Sequence, residues 1–226
     1  MGNTEVRHHR TKLLPEMEGP VARAYARGRG TAPQLAFYRR QAAELTEGLP
    51  EGAAVLEVAP GPGYFTVEVA RLGFAVTALD VSRTFVGLAQ EYARSEGVAA
   101  EFRQGDVAAM PFADRSFDFL ICQAAFKNFA RPVVALDEMH RVLRPGGVAV
   151  VQDMSKESTH AQIDAEVGNM ALGKVAAFTT RQALAGLRRR AYTPAQFTAT
   201  VAESAFRTCT VTTEGISLQV RLVRAA

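Results

Sequence analysis

The chain has 226 residues, of which 48% are hydrophobic, and a mean hydropathy of -0.01. This length supports one well-cored α/β domain and leaves little for a second. We find no apolar run of membrane-spanning length and no apolar signal-peptide core at the start of the chain, so we expect a cytoplasmic protein that does not bind membranes. The net charge of +3 comes from local clusters without interleaved aromatic residues, which makes nucleic acid an unlikely partner.

The two cysteines, Cys122 and Cys209, both fall in strand-like runs. Neither belongs to a C-x-x-C pattern or has a histidine at metal-ligand spacing. We therefore expect reduced core cysteines and no metal site.

The first part of the chain reads as an arm followed by two helices. Residues 1–18 are polar and broken by Pro15, which predicts a loose arm. A short helix is predicted from Pro20 to Ala26, and a longer one from about Pro33 towards Gly48. We expect residues 1–48 to form the arm and cap helices, and residues 49–226 to form the main domain.

The most informative stretch is an apolar run, residues 55–59, that ends in the turn Pro60-Gly61-Pro62-Gly63. Phe65, Val69 and Leu72 then share one helical face, so the stretch predicts a buried strand, a tight turn and a helix. Gly61 and Gly63 allow positive φ angles and a close approach of the backbone to a ligand at the helix N-terminus.

The side chains around this turn separate three kinds of nucleotide site. A phosphate-binding P-loop needs a lysine, and no cation occurs between Val55 and Glu68. A dinucleotide fingerprint needs a small residue three positions after Gly63, where Thr66 stands. The acidic Glu57 beside a glycine loop instead favours a ligand that carries positive charge near the turn.

Strands and helices alternate through most of the remaining chain. The predicted strands cover residues 74–79, 98–102, 117–122 and 148–151, and a terminal antiparallel hairpin covers 208–213 and 216–223. Helical segments between about 155 and 192 are inserted between the fifth and sixth strands. We predict a single doubly wound, Rossmann-like α/β sheet of seven strands with N-terminal helices.

The ordered set of Glu57, Gly61, Gly63, Asp80, Asp106 and the turn Pro145-Gly146-Gly147 resembles the class I S-adenosylmethionine-dependent methyltransferases, of the small-molecule type. The resemblance covers roughly residues 49–223. The chain departs from the family pattern at Ala59, which replaces its first glycine.

The resemblance implies a site for S-adenosylmethionine at the carboxyl ends of the strands. The glycine loop would pack against the methionine part, Asp80 would accept from the ribose hydroxyls, and Asp106 would accept from the adenine amine. The full set of predicted cofactor residues is Glu57, Ala59, Gly61, Gly63, Asp80, Val81, Asp106, Val107, Gln123 and Tyr25.

The family places the reacting methyl group after the fourth strand. Nucleobase amino-methyltransferases carry Asn/Asp-Pro-Pro-Tyr/Phe at this point, and this chain has Cys-Gln-Ala-Ala at residues 122–125, which argues against methylation of a base amine. Asp153 and His160 are candidate bases, but the sequence assigns no catalytic residue. The predicted substrate pocket consists of Tyr38, Phe126, Lys127, Met170 and Phe178.

The function predicted from the sequence is direct methyl transfer from S-adenosylmethionine to a small-molecule acceptor. The sequence leaves open a cofactor-binding protein without transfer activity. A nucleotide-dependent oxidoreductase of similar fold is the other alternative, and Thr66 argues against it. The sequence is compatible with a homo-oligomer.

Overall fold

The computed structural model describes residues 17–170 and 172–225. Seven strands form one sheet in the order β3-β2-β1-β4-β5-β7-β6. The strands are β1 Ala54–Val58, β2 Ala75–Asp80, β3 Glu101–Gln104, β4 Phe117–Gln123, β5 Leu143–Met154, β6 Thr210–Glu214 and β7 Ser217–Val223.

Helices α1 and α2 precede the first strand, and the others lie between strands. Their bounds are α1 Gly19–Arg29, α2 Ala32–Leu45, α3 Tyr64–Arg71, α4 Arg83–Ser95, α5 Pro132–Val142, α6 His160–Asn169, α7 Lys174–Arg190 and α8 Pro194–Ala202. Two short 3₁₀ helices cover Val107–Ala109 and Phe126–Asn128.

The central strand β1 pairs in parallel with β2 and β4, and β7 runs antiparallel to both β5 and β6. Val55 and Leu56 of β1 are both fully buried although they point to opposite faces, as expected for a parallel strand covered by helices on both sides. The predicted seven-stranded Rossmann-like sheet with a terminal antiparallel hairpin is confirmed.

Each face of the sheet has its own helical layer. On one face, Ala42 of α2 and Phe65 of α3 pack against Phe119 and Val150. On the other face, α5 and α8 pack against the sheet through residues such as Leu136 and Phe197. The crossover helices therefore place the ends of β1, β2 and β4 side by side at one edge, where a doubly wound sheet binds its ligands.

The turn predicted at residues 144–147 is an irregular part of β5. The helix α5 ends at Val142, β5 begins at Leu143, and the pairing with β4 shifts between Phe117 and Phe119. A Cβ atom on Gly147 would lie 2.8 Å from the backbone oxygen of Arg144. This glycine is needed because the backbone folds closely on itself before the strand continues.

The predicted insertion follows β5 as α6 and α7, which we call the lid helices. Ile163 and Val167 of α6 pack on Met154 and Ala191. In contrast, no residue of α7 is buried. The predicted N-terminal arm falls outside the described residues except for residues 17 and 18. Within the described ranges, the helices are too short or too polar to span a membrane.

Candidate cofactor and acceptor site

The turn between β1 and α3 forms a cradle of left-handed backbone. Ala59, Gly61 and Gly63 have φ angles of 57°, 57° and 78°. The amide of Ala59 donates to the carbonyl of Leu79 at 2.8 Å, which joins the turn to the end of β2. The first position of this cradle therefore requires the conformation that glycine adopts most easily, and Ala59 holds it under strain.

Gly61 and Gly63 have different surroundings. A Cβ atom on Gly63 would lie 2.7 Å from Cβ of Ala89 and 3.0 Å from the ring of Phe102. A Cβ atom on Gly61 would meet only the ring of Tyr25, at 4.0 Å. Gly63 is thus required by packing inside the protein, whereas Gly61 faces open space beside Tyr25.

Glu57 is a buried carboxyl at the end of β1. Its side chain is 3% exposed and accepts a hydrogen bond from the hydroxyl of Thr66. Burial raises the pKa of Glu57 to about 8, against the lowering effect of Thr66. Thr66, the residue that argues against a dinucleotide fingerprint, is therefore the hydrogen-bond partner of the buried Glu57 carboxyl.

Asp80, at the end of β2, connects the glycine loop to the start of α4. Its Oδ2 accepts from the amide of Gly61 at 3.0 Å and its Oδ1 from the amide of Ser82 at 2.8 Å. Burial raises the pKa of Asp80 to about 6, and the two amide hydrogen bonds oppose that rise. Val81 follows with a 44% exposed side chain.

The chain entering α1 docks on the same helix end. The carboxylate of Glu18 accepts from the amides of Arg83 and Thr84 at 2.8 and 3.1 Å. The hydroxyl of Ser82 donates to the carbonyl of Met17 at 2.7 Å. The segment before α1 therefore lies over the helix end that Asp80 adjoins.

Arg29, at the end of α1, lies between two tyrosines beside the glycine loop. Its guanidinium carbon is 5.9 Å from the ring centre of Tyr25 and 5.8 Å from that of Tyr38. The Nε atom of Arg29 is buried and has no hydrogen-bond partner among the described residues. A buried donor without a partner is costly, so this atom is a candidate contact for a ligand.

Asp106 and Val107 form the start of a 3₁₀ helix after β3. The Oδ1 atom of Asp106 accepts from the amide of Ala108 at 2.9 Å, and Oδ2 pairs with Arg131 at 3.1 Å. The Asp106 side chain is 54% exposed, so it is accessible to a ligand as well as serving as a local cap.

Gln123 is the last residue of β4 and lies next to two further glutamines on neighbouring strands. It is level with Gln152 of β5, which is level with Gln219 of β7. The side-chain amide of Gln123 donates to the carbonyl oxygen of Gln152 at 2.8 Å. Gln123 was predicted from the sequence, but its two neighbours were not, because only strand register brings the three residues together.

Phe126, predicted as pocket lining, lies inside the core of this structure, so its contact with a substrate stays a prediction. Its side chain is fully buried and stacks on Phe197 at a ring-centre distance of 4.5 Å, with Tyr192 at 5.5 Å. The 3₁₀ helix after β4 turns this ring into the core between the sheet and α8.

Lys127, also predicted for the pocket, is buried in an ion pair with Asp153. Its Nζ lies 2.7 Å from Oδ1 of Asp153, and the two side chains are 4% and 5% exposed. The amide of Lys127 donates to Oδ2 of the same carboxylate at 3.0 Å. Both charges are taken up by this ion pair, so the predicted pocket contact of Lys127 and the suggested base role of Asp153 stay predictions. The pair instead fixes the loop after β4 to the end of β5.

The remaining predicted pocket residues lie on the outer helices. Tyr38 of α2 is half-buried against Tyr64, with ring centres 6.3 Å apart. Met170 and Phe178 in the lid region are 41% and 59% exposed. His160, the other suggested base, lies at the surface, where its ring is 3.3 Å from a guanidinium nitrogen of Arg188. His160 begins α6, and Arg188 is in the last turn of α7.

A separate groove of about 470 Å³ runs along the outer side of α4 and β3, past Gln90 and Phe102. It contains none of the predicted site residues. We therefore place the candidate site at the carboxyl edge of the sheet, where Glu57, Asp80 and Arg29 converge on the glycine loop.

Comparison with known proteins identifies the domain. Residues 56–151 match the family described as "Methyltransferase domain". This part of the chain, less than half of its length, is similar to a methyltransferase domain. The match begins within β1 and ends within β5, so it includes the glycine loop, Asp80, Asp106 and the glutamine at the end of β4.

Two curated relatives of this methyltransferase domain have different names. The demethylmenaquinone methyltransferase of Tropheryma whipplei (strain Twist) is 34% identical over 148 residues, which are 64% of this chain and 60% of the relative. The malonyl-[acyl-carrier protein] O-methyltransferase of Erwinia billingiae is 31% identical over 62% of this chain and 55% of the relative. The chain thus spans somewhat more than half the length of these relatives.

A crystal structure of an S-adenosylmethionine-dependent methyltransferase from Aquifex aeolicus shares the fold. The TM-score is 0.69 over 89% of this chain and 98% of that chain, at 19% identity. The predicted fold is confirmed, and the match at residues 56–151 agrees with the predicted methyltransferase family.

Proposed function

We propose that this methyltransferase domain transfers a methyl group from S-adenosylmethionine to a small, largely apolar acceptor. The observation that carries the proposal is the meeting of buried Glu57, the unpartnered Nε of Arg29 and the positive-φ glycine cradle at the end of β1. When bound, the cofactor supplies a methyl group on a sulfonium centre, which a nucleophile can displace.

The residues fit the two charges of the methionine end of the cofactor. Glu57, once ionised, is suited to its ammonium group. Arg29 is suited to its carboxylate, because the buried Nε gains the hydrogen bond that it lacks. Arg29 thereby supplies the cation that is missing from the sequence between Val55 and Glu68.

Asp80 and Asp106 suit the nucleoside part. Each carboxylate oxygen has two lone pairs, so the amide hydrogen bonds from Gly61 and Ser82 orient Asp80 and leave capacity for ribose hydroxyls. Asp106 is exposed and suits the adenine amine, with the backbone of Val107 beside it. We retain Tyr25, Ala59 and Val81 as residues that border this region.

Alignment and exclusion of water are the catalytic effects that this arrangement favours. Holding two reactants in line is worth about 7–11 kcal/mol of the barrier, so a methyl transfer of this type needs no dedicated base. The bound cofactor would supply an electrophilic methyl group, whose bond to sulfur would break as its bond to the acceptor forms. The acceptor's proton would pass to solvent once the site reopens. The ion pair of Lys127 with Asp153 positions the loop after β4, and the lid helices exclude water.

The acceptor we propose is a small quinone-like molecule in its reduced form. The apolar side chains of Met170 and Phe178 and the aromatic ring of Tyr38 suit such a body, and one kind of relative is named for demethylmenaquinone. The reduced form is required because an electron-rich ring is the nucleophile. We propose a cytoplasmic location, which the free cysteines Cys122 and Cys209 support.

The test is transfer of tritiated methyl from S-adenosylmethionine to reduced demethylmenaquinone, with a malonyl thioester in a parallel reaction. We expect label in the quinone product, with little change in apparent affinity as salt rises, because an enclosed apolar acceptor releases few counterions. Saturable cofactor binding without transfer to either acceptor would identify a protein that binds the cofactor for another purpose. A steep salt dependence that disappears when Arg188, Arg189 and Arg190 are neutralised would contradict the small apolar acceptor.

A further inference from the structure

Four glutamine side chains form a hydrogen-bonded row next to the candidate site. The carbonyl oxygen of Gln152 accepts from Gln123 and from Gln41 of α2, both at 2.8 Å. The amide nitrogen of Gln152 donates to the carbonyl oxygen of Gln219 at 2.7 Å. We call these four residues the glutamine row.

Strand register fixes the position of the row. Cys122 pairs with Val58, so the next residue, Gln123, lies beside Ala59 at the start of the glycine loop. Gln41 lies one helical turn after Tyr38 and therefore on the same side of α2. The row thus begins at the glycine loop and borders the tyrosines that surround Arg29.

The glutamine row is polar, although the sheet face next to it is apolar. Ile121 and Val150, two residues earlier on β4 and β5, lie on the same face and are fully buried or nearly so in the apolar core under α2. The change from apolar to amide side chains occurs at the carboxyl edge, where an acceptor would approach the cofactor. An apolar row would have continued the core, so polar side chains here need a purpose other than packing.

The bonds within the row leave defined hydrogen-bonding groups free. Among the described residues, the carbonyl oxygens of Gln41 and Gln123 and the amide nitrogen of Gln219 have no protein partner. The four side chains carry no net charge, and they offer both donors and acceptors. Such a surface matches a carbonyl or hydroxyl group better than an ionised group, which needs a counter-charge.

We propose that the glutamine row binds the uncharged polar head, a hydroxyl or carbonyl, of the methyl acceptor. This inference rests on the proposed function for the acceptor's place in the site. It adds that the acceptor's polar group is neutral, which excludes a carboxylate or phosphate at this position.

The test uses three probes with one ring system: naphthalene, 1-naphthol and 1-naphthoate. Their binding is titrated calorimetrically to the full chain saturated with S-adenosylhomocysteine, and no methyl transfer is needed. We expect 1-naphthol to bind about tenfold more tightly than 1-naphthoate, a difference of about 1.4 kcal/mol. Gln152→Leu should weaken 1-naphthol binding about five- to tenfold and leave naphthalene binding unchanged or tighter, since each lost hydrogen bond is a modest term.

Two further variants keep the result interpretable. Gln219 is the last member of the row, on β7. Gln219→Leu removes one free donor and therefore gives a second measurement of 1-naphthol affinity if Gln152→Leu is poorly folded. Thr212→Val changes a polar side chain that is level with Gln219 on β6 and should have no effect. S-adenosylhomocysteine affinity, measured alone, should stay the same in all three variants.

Several results would overturn the inference. They are no binding of 1-naphthol to the parent chain, equal binding of 1-naphthol and 1-naphthoate, or unchanged 1-naphthol affinity in folded Gln152→Leu and Gln219→Leu. Tighter binding of 1-naphthoate that is lost in Arg221→Gln would show that this arginine, on the same face of β7, selects an anion instead. Failure of S-adenosylhomocysteine to bind would count against the proposed function, whereas the naphthol comparison judges the glutamine row itself.

Discussion

Glu57 links the stability of the protein to pH. Burial raises its pKa from the ordinary 4.5 to about 8, so the folded chain retains a proton that the unfolded chain releases. The stability that Glu57 contributes is therefore fully present below about pH 4.5 and is lost as pH rises towards 8. We predict that the free energy of unfolding of the cofactor-free protein falls between pH 6 and 8, as measured by denaturant titration. Asp80, with a pKa of about 6, contributes mainly at lower pH.

Glu57→Gln should flatten this dependence, because the amide does not titrate. The proposed role adds a second expectation: an ammonium group favours ionised Glu57, so cofactor affinity in the parent should rise between pH 6 and 7.5. The rise is limited to about tenfold per pH unit, the value for one proton. An equal slope in the parent and Glu57→Gln would show that another group is responsible.

Replacing Gly63 by alanine should mainly lower stability, whereas replacing Gly61 by alanine should mainly weaken cofactor binding. Gly63→Ala combines a left-handed backbone, worth about 1–2 kcal/mol, with a collision against Ala89 and Phe102 that adds about 1–3 kcal/mol. Gly61→Ala meets only Tyr25, so it should cost about 1–2 kcal/mol of stability and chiefly obstruct the cofactor. Thermal unfolding and cofactor titration of both variants check this difference.

Ala59→Gly is the matched control for the glycine comparison. It removes the strain of a positive φ angle at a non-glycine residue, so it should be neutral or stabilising by up to about 1 kcal/mol. If Gly61→Ala bound the cofactor as the parent does, the loop would be a structural turn only.

At the scale of elements, the ion pair of Lys127 with Asp153 holds the loop after β4 to β5. Lys127→Met would leave Asp153 buried without its counter-charge, and we predict a loss of about 3–5 kcal/mol of stability. Lys127→Met/Asp153→Asn should recover part of this loss, because no charge is then buried while one oxygen still accepts from the backbone. Denaturant unfolding of the single and double variants measures both values, and an equally unstable double variant would contradict the explanation by charge.

The lid helices offer a test of the acceptor side. Phe178 on α7 is 59% exposed, so Phe178→Ser should change stability by less than about 0.5 kcal/mol. If α7 covers an apolar acceptor, the same variant should raise KM for that acceptor several-fold with little change in cofactor affinity. Val134→Ser, which removes an exposed apolar side chain from α5, is the control and should leave KM unchanged. Equal KM values in the parent and Phe178→Ser would remove this residue from the pocket.

For the whole molecule, the sequence was most informative where one local pattern determines the structure. The strand, glycine turn and helix at residues 55–72 depend on residues that are close in sequence. The sheet order followed from the family that those patterns resemble. The structure confirms this fold.

The sequence was least informative where distant segments meet. The packing of Phe126 could not be predicted from its place after β4, because the 3₁₀ turn directs its ring to Phe197, which is distant in sequence. The pairing of Lys127 with Asp153 and the glutamine row depend on strand register in the same way. Arg29 gave one weak local signal, its position between Gly28 and Gly30, and only the packing of α1 beside the glycine loop makes it a candidate contact.

The central claim is that S-adenosylmethionine binds at the glycine loop between Arg29, Glu57 and Asp80. Calorimetric titration of S-adenosylmethionine into the parent chain and matched variants tests it most directly. We predict one cofactor per chain, with affinity about 10- to 100-fold weaker in Arg29→Gln and in Asp80→Ala, since each loses hydrogen bonds worth about 1–3 kcal/mol. Arg27→Gln, an exposed change on the same helix, should bind as the parent does. No binding to the parent, or equal affinity in folded Arg29→Gln, Asp80→Ala and Arg27→Gln, would contradict the account.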